Sequence, residues 1–233
     1  MVQQPDLGIL ERSELYHGAS IAALTEAHAS SFRKRLAVDE VLLRQGDAAG
    51  TIYIVVVGRL RVTQTTNEGQ QVIMRYLGPG ELAGYAVLSG ADVHPGTATA
   101  VDDTHLLGWT AAAFREVMAR HPVIAMNALN VLGVRYRDMQ IRLRELSTEK
   151  VERRLAHTML RLAAQAGRRT AHGIEIAFPL SRQDLAEMAG TTLHTVSRTL
   201  SGWEEQGIVD SGRRRVIVRN QQKLSEIADG AHA

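Results

Sequence analysis

The sequence predicts an α+β chain in three parts: a β-barrel, a long amphipathic helix, and a C-terminal pair of capped helices followed by a hairpin. Three observations carry this. Short β-rich segments separated by glycine run from about Glu40 to Trp109, apolar residues recur at helical spacing from Leu129 to Leu146, and capping signals flank Gly190.

The barrel comes first. VLLRQGD, TIYIVVVGRLRVTQ, QQVIMRYLGPGEL and TATAVDDTHLLGW read as strands of a barrel or sandwich of jelly-roll type. Gly46-Asp47, Gly58, Asn67-Glu68-Gly69 and Gly78-Pro79-Gly80 supply the turns between them. Helical segments at Ile21 to Ser31 and Ala111 to Arg120 flank this core, so residues 1–120 are expected to form the first domain.

The long helix follows. Leu129, Leu132, Tyr136, Met139, Leu143 and Leu146 recur at heptad spacing, with Arg135, Arg137, Asp138, Arg142, Arg144 and Glu145 between them. A narrow apolar stripe on a charged helix is what a coiled coil with a second copy needs, so residues 121–147 are expected to hold a homodimer together. A hinge is expected at Leu146 to Thr148. Beyond it TEKVERRLAHTMLRLAAQAG reads as a second amphipathic helix ending at a glycine, GRRTAHG as a polar loop and IEIAFPL as a strand.

In the C-terminal domain, residues 148–233, Ser181 and Asp184 form an S-x-x-D capping signature for a helix that stops at Gly190. Thr191 and Thr192 offer a second cap, after which Leu193, Val196, Leu200 and Trp203 are expected to face inward. Two helices joined by a tight glycine turn make a helix-turn-helix. The opposite face of the second helix carries His194, Ser197, Arg198 and Ser201, which suit a DNA groove. A guanidinium fork such as that of Arg198 matches the O6 and N7 acceptors of guanine, and His194 and Ser197 can reach base edges. Thr192 and Ser201 are expected to meet the DNA backbone. SGRRRVIVRN places Arg213, Arg214 and Arg215 at a hairpin tip, a winged-helix wing whose cations would hold phosphates.

Composition sets the outer limits. The 233 residues have room for two modest domains, and 45% hydrophobic content is ordinary for a packed protein. Apolar runs such as Ile52 to Val57 fall far short of the roughly 18 residues that span a bilayer, and MVQQPDLGIL lacks a basic region followed by an apolar stretch. A cytoplasmic protein without a membrane partner is expected. The absence of cysteine excludes disulfides, thiolate zinc sites and cysteine-held iron–sulfur clusters. Cations and anions number 15 and 16 up to Lys150 and 12 and 9 after it, so the C-terminal part is the basic one. With no phosphate-binding glycine motif, paired-histidine spacing or G-x-S-x-G elbow, no enzyme is expected, and Asp102-Asp103 reads as a solvated turn.

These residues resemble the Crp/Fnr regulators from about Ala37 to Arg219. VLLRQGDAAGTIYIVVVGRLRV is similar to the opening of a cyclic-nucleotide-binding-type barrel, and PGELAGYAVLSG with TATAVDDTHLL to its ligand loop. SRQDLAEMAGTTLHTVSRTLSGWEEQGIV is similar to the family's reading head. The resemblance implies a homodimeric transcription regulator, an activator, that binds two-fold symmetric double-stranded DNA and engages RNA polymerase. It also implies an effector pocket in the barrel, to which Glu81, Arg75, His94, Met139 and Gln140 are assigned.

Cyclic-AMP-binding members pair the Glu of the GEL turn with an Arg-Ser pair. Here Glu81 stands but His94 and Pro95 replace that pair, so neither a permanent cation nor the second amide is present. Cyclic AMP is not expected as the effector, and Glu81 has the alternative task of capping its turn. Ser197-Arg198 resembles the Fnr-like branch, while His194 replaces a glutamate. GTTLHTVSR also resembles regulators of the NnrR kind that respond to nitric oxide. That likeness points to haem as a cofactor for a gas signal, with His17, His28, His94 and His105 as candidate ligands; a small effector, or none, is the alternative.

Overall fold

The computed structural model describes residues 4–230, with side chains from residue 7 onward. Two compact units divide the chain, one up to Asp138 and one from Met139.

The first unit begins with α1 (Gln4–Arg12), a 3-10 turn (Glu14–Tyr16) and α2 (Ile21–Ala29). The strands follow: β1 (Phe32–Leu36), β2 (Val41–Leu43), β3 (Thr51–Val57), β4 (Leu60–Thr65), β5 (Gln71–Leu77) and β6 (Leu82–Ala83). After a short α3 (Ala86–Ser89) come β7 (Thr97–Ala100), β8 (Thr104–Thr110), α4 (Ala111–Arg120) and α5 (Pro122–Thr148). Two four-stranded sheets result, ordered β1-β8-β3-β6 and β2-β7-β4-β5. Their pairings are antiparallel, the arrangement of the expected jelly roll.

β3 shows why its sequence is a continuous apolar run. Tyr53 and Val55 pack with Leu36, Leu60, Leu77 and Leu106 in one cluster of buried residues. Ile52 and Ile54 pack with Trp109, Phe114 and residues of α1, α2 and α5 in another. A strand covered on both faces cannot alternate. The Trp109 indole N–H donates to the Ala27 carbonyl at 2.7 Å, which fixes α2 against the sheet. At Gly58, φ is +88° and an added Cβ would lie 2.6 Å from the Asp103 carbonyl oxygen, so the β3–β4 turn requires glycine.

α5 has two apolar faces. Ile124, Ala128 and Val131 are buried against the barrel, whereas Leu129, Tyr136, Met139, Leu143 and Leu146 are exposed on the single chain and Leu132 is half-buried. The exposed set belongs to the heptad spacing read from the sequence.

The second unit contains the end of α5, then α6 (Val151–Ala166), β9 (Gly167–Thr170), β10 (Gly173–Ile176), α7 (Arg182–Ala189), α8 (Leu193–Glu205), β11 (Val209–Gly212), β12 (Arg215–Val218) and α9 (Gln221–Asp229). The sheet order is β11-β12-β10-β9. GRRTAHG, expected as a loop, therefore contains a strand: Gly167 to Thr170 pair with β10, and Arg168 reaches Glu175 at 3.0 Å. Its polar residues stand on an edge strand, where side chains meet water and only the backbone ladder is apparent. Leu155, Met159, Leu185, Val196, Leu200 and Trp203 are buried in this unit, and the Trp203 indole donates to Glu152 at 3.1 Å.

Candidate nucleic-acid interface and effector pocket

The helix-turn-helix is built by its caps. The Ser181 hydroxyl accepts the Asp184 N–H at 3.0 Å while the Asp184 carboxylate accepts the Ser181 N–H at 2.8 Å, a complete capping box. α7 ends on Gly190 in the left-handed region at φ +61°, where an added Cβ would lie 2.8 Å from Leu146 Cδ2. Thr192 then caps α8, accepting the Thr195 N–H at 3.2 Å. Arg154 fastens the turn from behind, donating to the carbonyls of Ala189 at 3.0 Å, Gly190 at 3.1 Å and Glu149 at 2.9 Å.

Val196, Leu200 and Trp203 are buried, which turns the opposite face of α8 to solvent. His194, Arg198 and Ser201 are exposed there and Ser197 is half-buried; Arg198 has no partner among the described residues. Leu193 does not follow the inward expectation. It is 47% exposed at the first position of α8, where no preceding helical turn covers it, while Val196, Leu200 and Trp203 further along are buried.

The wing tip holds Arg213 and Arg214, both exposed. Arg214 adopts φ +57°, and its carbonyl accepts the Leu180 N–H at 3.2 Å, which ties the turn to the segment before α7. Arg215 is engaged differently: its Nε donates to Glu175 at 2.9 Å. The Glu175 carboxyl is held below its usual range by hydrogen bonds from Arg215 and then Arg168.

In the barrel, Glu81 and Arg75 come together at 2.5 Å. The Glu81 carboxylate also accepts the Gly78 N–H at 2.9 Å, so it caps its own turn, and Arg135 of α5 stands 3.7 Å away. Burial pushes the Arg75 guanidinium below its usual pKa, Arg135 adds to that, and Glu81 opposes it. Burial likewise lowers Arg59, with Asp102 and Glu81 opposing. Sequence reasoning missed Arg135. Its signal is a second spacing on α5, Ile124, Ala128, Val131 and Arg135, the stripe that faces the barrel. A cavity of about 200 Å³ lies here, lined by Ser13, Pro79, Gly80, Glu81, Val131 and Arg135 among others, with no histidine in its wall.

His94 is placed by different partners. Its N–H donates to the Asp47 carbonyl and its own carbonyl accepts the Gly46 N–H, both at 2.9 Å. The residue is 3% exposed, and burial lowers its imidazole pKa while Asp47 opposes. Met139 and Gln140 are exposed on α5. His17 and His105 are exposed as well, and His28 is half-buried on α2.

A β-sandwich with an exposed heptad seam on its long helix, followed by a capped helix-turn-helix and a basic wing, defines a DNA-binding transcription regulator. Residues 33–121 match the cyclic nucleotide-binding domain and residues 153–227 the Crp-like helix-turn-helix domain. The chain is 33% identical over 222 residues to the cyclic AMP receptor protein of Thermus thermophilus, covering 95% of this chain and 99% of that one. It is 27% identical to the transcriptional activator protein FnrA of Stutzerimonas stutzeri, covering 82% and 78%. Among solved structures, FixK2 from Bradyrhizobium japonicum superimposes with a TM-score of 0.75 at 25% identity, over 84% of this chain and 96% of that one. The chain belongs to the Crp/Fnr family of transcription regulators. Its relatives are regulators, not enzymes. No helix among the described residues is long and apolar enough to cross a membrane.

Proposed function

We propose that this regulator works as a homodimeric activator, joined along the α5 seam, that reads a two-fold symmetric DNA site and engages RNA polymerase. His194, Ser197 and Arg198 read bases, and Thr192, Ser201, Arg213 and Arg214 hold the backbone; the Arg215 guanidinium is engaged by Glu175. The carrying observation is the exposed polar face of α8, with Arg198 unpartnered among the described residues. A side chain kept extended in water without an internal contact is ready for an external acceptor.

The Thermus relative is named a cyclic AMP receptor, and relatives in Mycobacterium tuberculosis are named cAMP-activated regulators. This chain is built for a different signal. His94 and Pro95 stand where those members need a cation and an amide, and His94 is buried in the form that burial favours, the neutral one. A cysteine-held iron–sulfur cluster has no ligands in this sequence. A second reading, a dimer that binds DNA with no effector, is favoured by the bridge of Arg75, Glu81 and Arg135, which already links the ligand turn to α5.

Operator affinity of the purified dimer, measured with and without millimolar cyclic AMP on a selected DNA site, tests both readings. Unchanged affinity is the expected result; a large gain on adding cyclic AMP overturns it. Tight binding with nothing added supports the effector-free reading. The likeness to nitric-oxide-responsive regulators is checked by an absorption spectrum after haem addition. A stoichiometric Soret band that responds to nitric oxide and is lost on replacing one of the candidate histidines would support a haem-gas signal in place of both readings.

A further inference from the structure

The cavity between the end of α1, the Gly78-Pro79-Gly80 turn and α5 contains a cation with an open fork. The Arg135 side chain is 23% exposed, so most of it has left water, yet it makes no hydrogen bond among the described residues. Its carboxylate neighbours Asp138, Glu81 and Glu14 stand at 3.5, 3.7 and 3.8 Å, beyond the range that satisfies a guanidinium N–H. Glu81 is engaged by Arg75 and the Gly78 N–H, and Glu14 is 68% exposed. Arg12, at the end of α1, lines the same cavity with no hydrogen bond or ion pair among the described residues, and Ser13 adds a hydroxyl. Gly80 keeps the wall bare: φ is +85°, and an added Cβ would lie 3.9 Å from the Arg12 carbonyl oxygen and from Ser13 Cα.

Two guanidinium forks and a hydroxyl around one cavity match an oxyanion, which accepts from several donors at once. Leu15, Leu82 and Val131 supply apolar wall, and about 200 Å³ is less than the roughly 300–1,000 Å³ of sites for drug-sized ligands. A ligand of few carbons fits. We propose that this cavity is a binding site for a small oxyanion, a carboxylate or phosphate on a short carbon chain, held by Arg135 and Arg12. It is distinct from the pocket that the resemblance assigns to an effector, because neither Arg75 nor His94 lines it and only Glu81 is shared. The ligand gives Arg135 the hydrogen bonds that its own carboxylate neighbours are too far away to accept, and links α1 to α5 by doing so.

The test titrates the full-length protein with inorganic phosphate, succinate and phosphoglycolate, against sodium chloride at matched ionic strength, and reads the heat of binding and the melting temperature. At least one of these should bind saturably and raise the melting temperature; the separate arms tell whether phosphate, carboxylate or both are needed. Arg135→Gln should weaken that binding by roughly ten- to hundredfold, and Arg135→Lys, which keeps the charge without the fork, should recover only part of it. Glu14→Gln removes a competing carboxylate and should tighten binding about twofold. Arg115→Gln, on the exposed face of α4, should leave it unchanged. If unliganded Arg135→Gln melts well below the parent, Arg12→Gln at the exposed end of α1 carries the same test and should also bind more weakly. No saturable binding of any of these anions at millimolar concentration overturns the proposal, as does binding of parental strength in both Arg135→Gln and Arg12→Gln. Neither result bears on DNA reading, since no DNA enters the experiment.

Discussion

On α8, Arg198 extends into water with no partner among the described residues, whereas in the barrel Arg75 lies mostly buried against Glu81 at 2.5 Å with Arg135 close behind. Arg198 lies between Ser197 and Thr199, and Arg75 between Met74 and Tyr76. What separates them is the fate of the charge. The barrel guanidinium has exchanged water for a carboxylate, so its removal takes from the half-buried Glu81 its nearest cation. The α8 guanidinium has exchanged nothing, so its removal leaves the free protein unchanged. A binding residue and a scaffold residue are thus told apart by two readouts on one variant, thermal stability and operator affinity.

The largest expected effect lies on the reading face. Arg198→Ala should weaken operator binding by roughly 1–3 kcal/mol per half-site and relax the preference at one base pair, with an unchanged melting temperature. Arg214→Ala on the wing should weaken all DNA about equally and reduce the slope of affinity against salt by about 1. Fluorescence anisotropy on the selected site and a scrambled site, at several salt concentrations, separates the two. Equal loss on both DNAs for Arg198→Ala would remove the base-reading role.

Next in size is the barrel bridge. Glu81→Gln keeps an acceptor for the Gly78 N–H but deprives Arg75 of its counter-ion. Because the two side chains are 20% and 25% exposed, water recovers part of the loss, and about 1–2 kcal/mol of stability should disappear. Calorimetry measures this, and the selected DNA sequence should stay the same. A variant that melts like the parent would show that the bridge is not structural, and the contrast with Arg198 would collapse.

The contrast also explains which features could be read before the structure was seen. The heptad seam, the Ser181–Asp184 capping box, the Gly190 turn and the glycine turns of the barrel are local or periodic, and each sits where its spacing places it. β1 and β9 escaped notice: FRKRL and GRRT put charges on exposed edge strands, without an apolar alternation to mark them. α1 and α9 were not marked either, being short helices whose burial is contributed by distant partners such as α6 for α9. Leu193 shows the limit of periodicity, which gives a direction but not whether anything lies in that direction. Arg135 and Glu81 lie 54 positions apart, so no window of sequence shows that they meet.

The smallest expected effect concerns a site where resemblance and structure part. The resemblance assigned His94 to the effector pocket in place of an arginine; in the fold it is 3% exposed, and burial lowers its pKa below the ordinary imidazole value of 6.5. The fold therefore favours neutral His94, while the unfolded chain takes up a proton as soon as the pH falls through that ordinary value. Stability from this residue is complete above that value and declines as the pH drops toward the lowered, folded pKa. Melting curves at pH 7.5, 6.5 and 5.5 should show a decline in the parent that is shallower in His94→Gln, which has no proton to gain. Asp47 opposes the shift by favouring the charged ring, so Asp47→Asn should steepen the decline. Parallel curves for the parent and His94→Gln would mean that folding leaves the ring's pKa unshifted, and a parent that gains stability relative to His94→Gln as the pH falls would mean that the folded ring holds its proton. In that last case a cation would stand where the resemblance places the family's arginine, and the case against cyclic AMP would lose its main support.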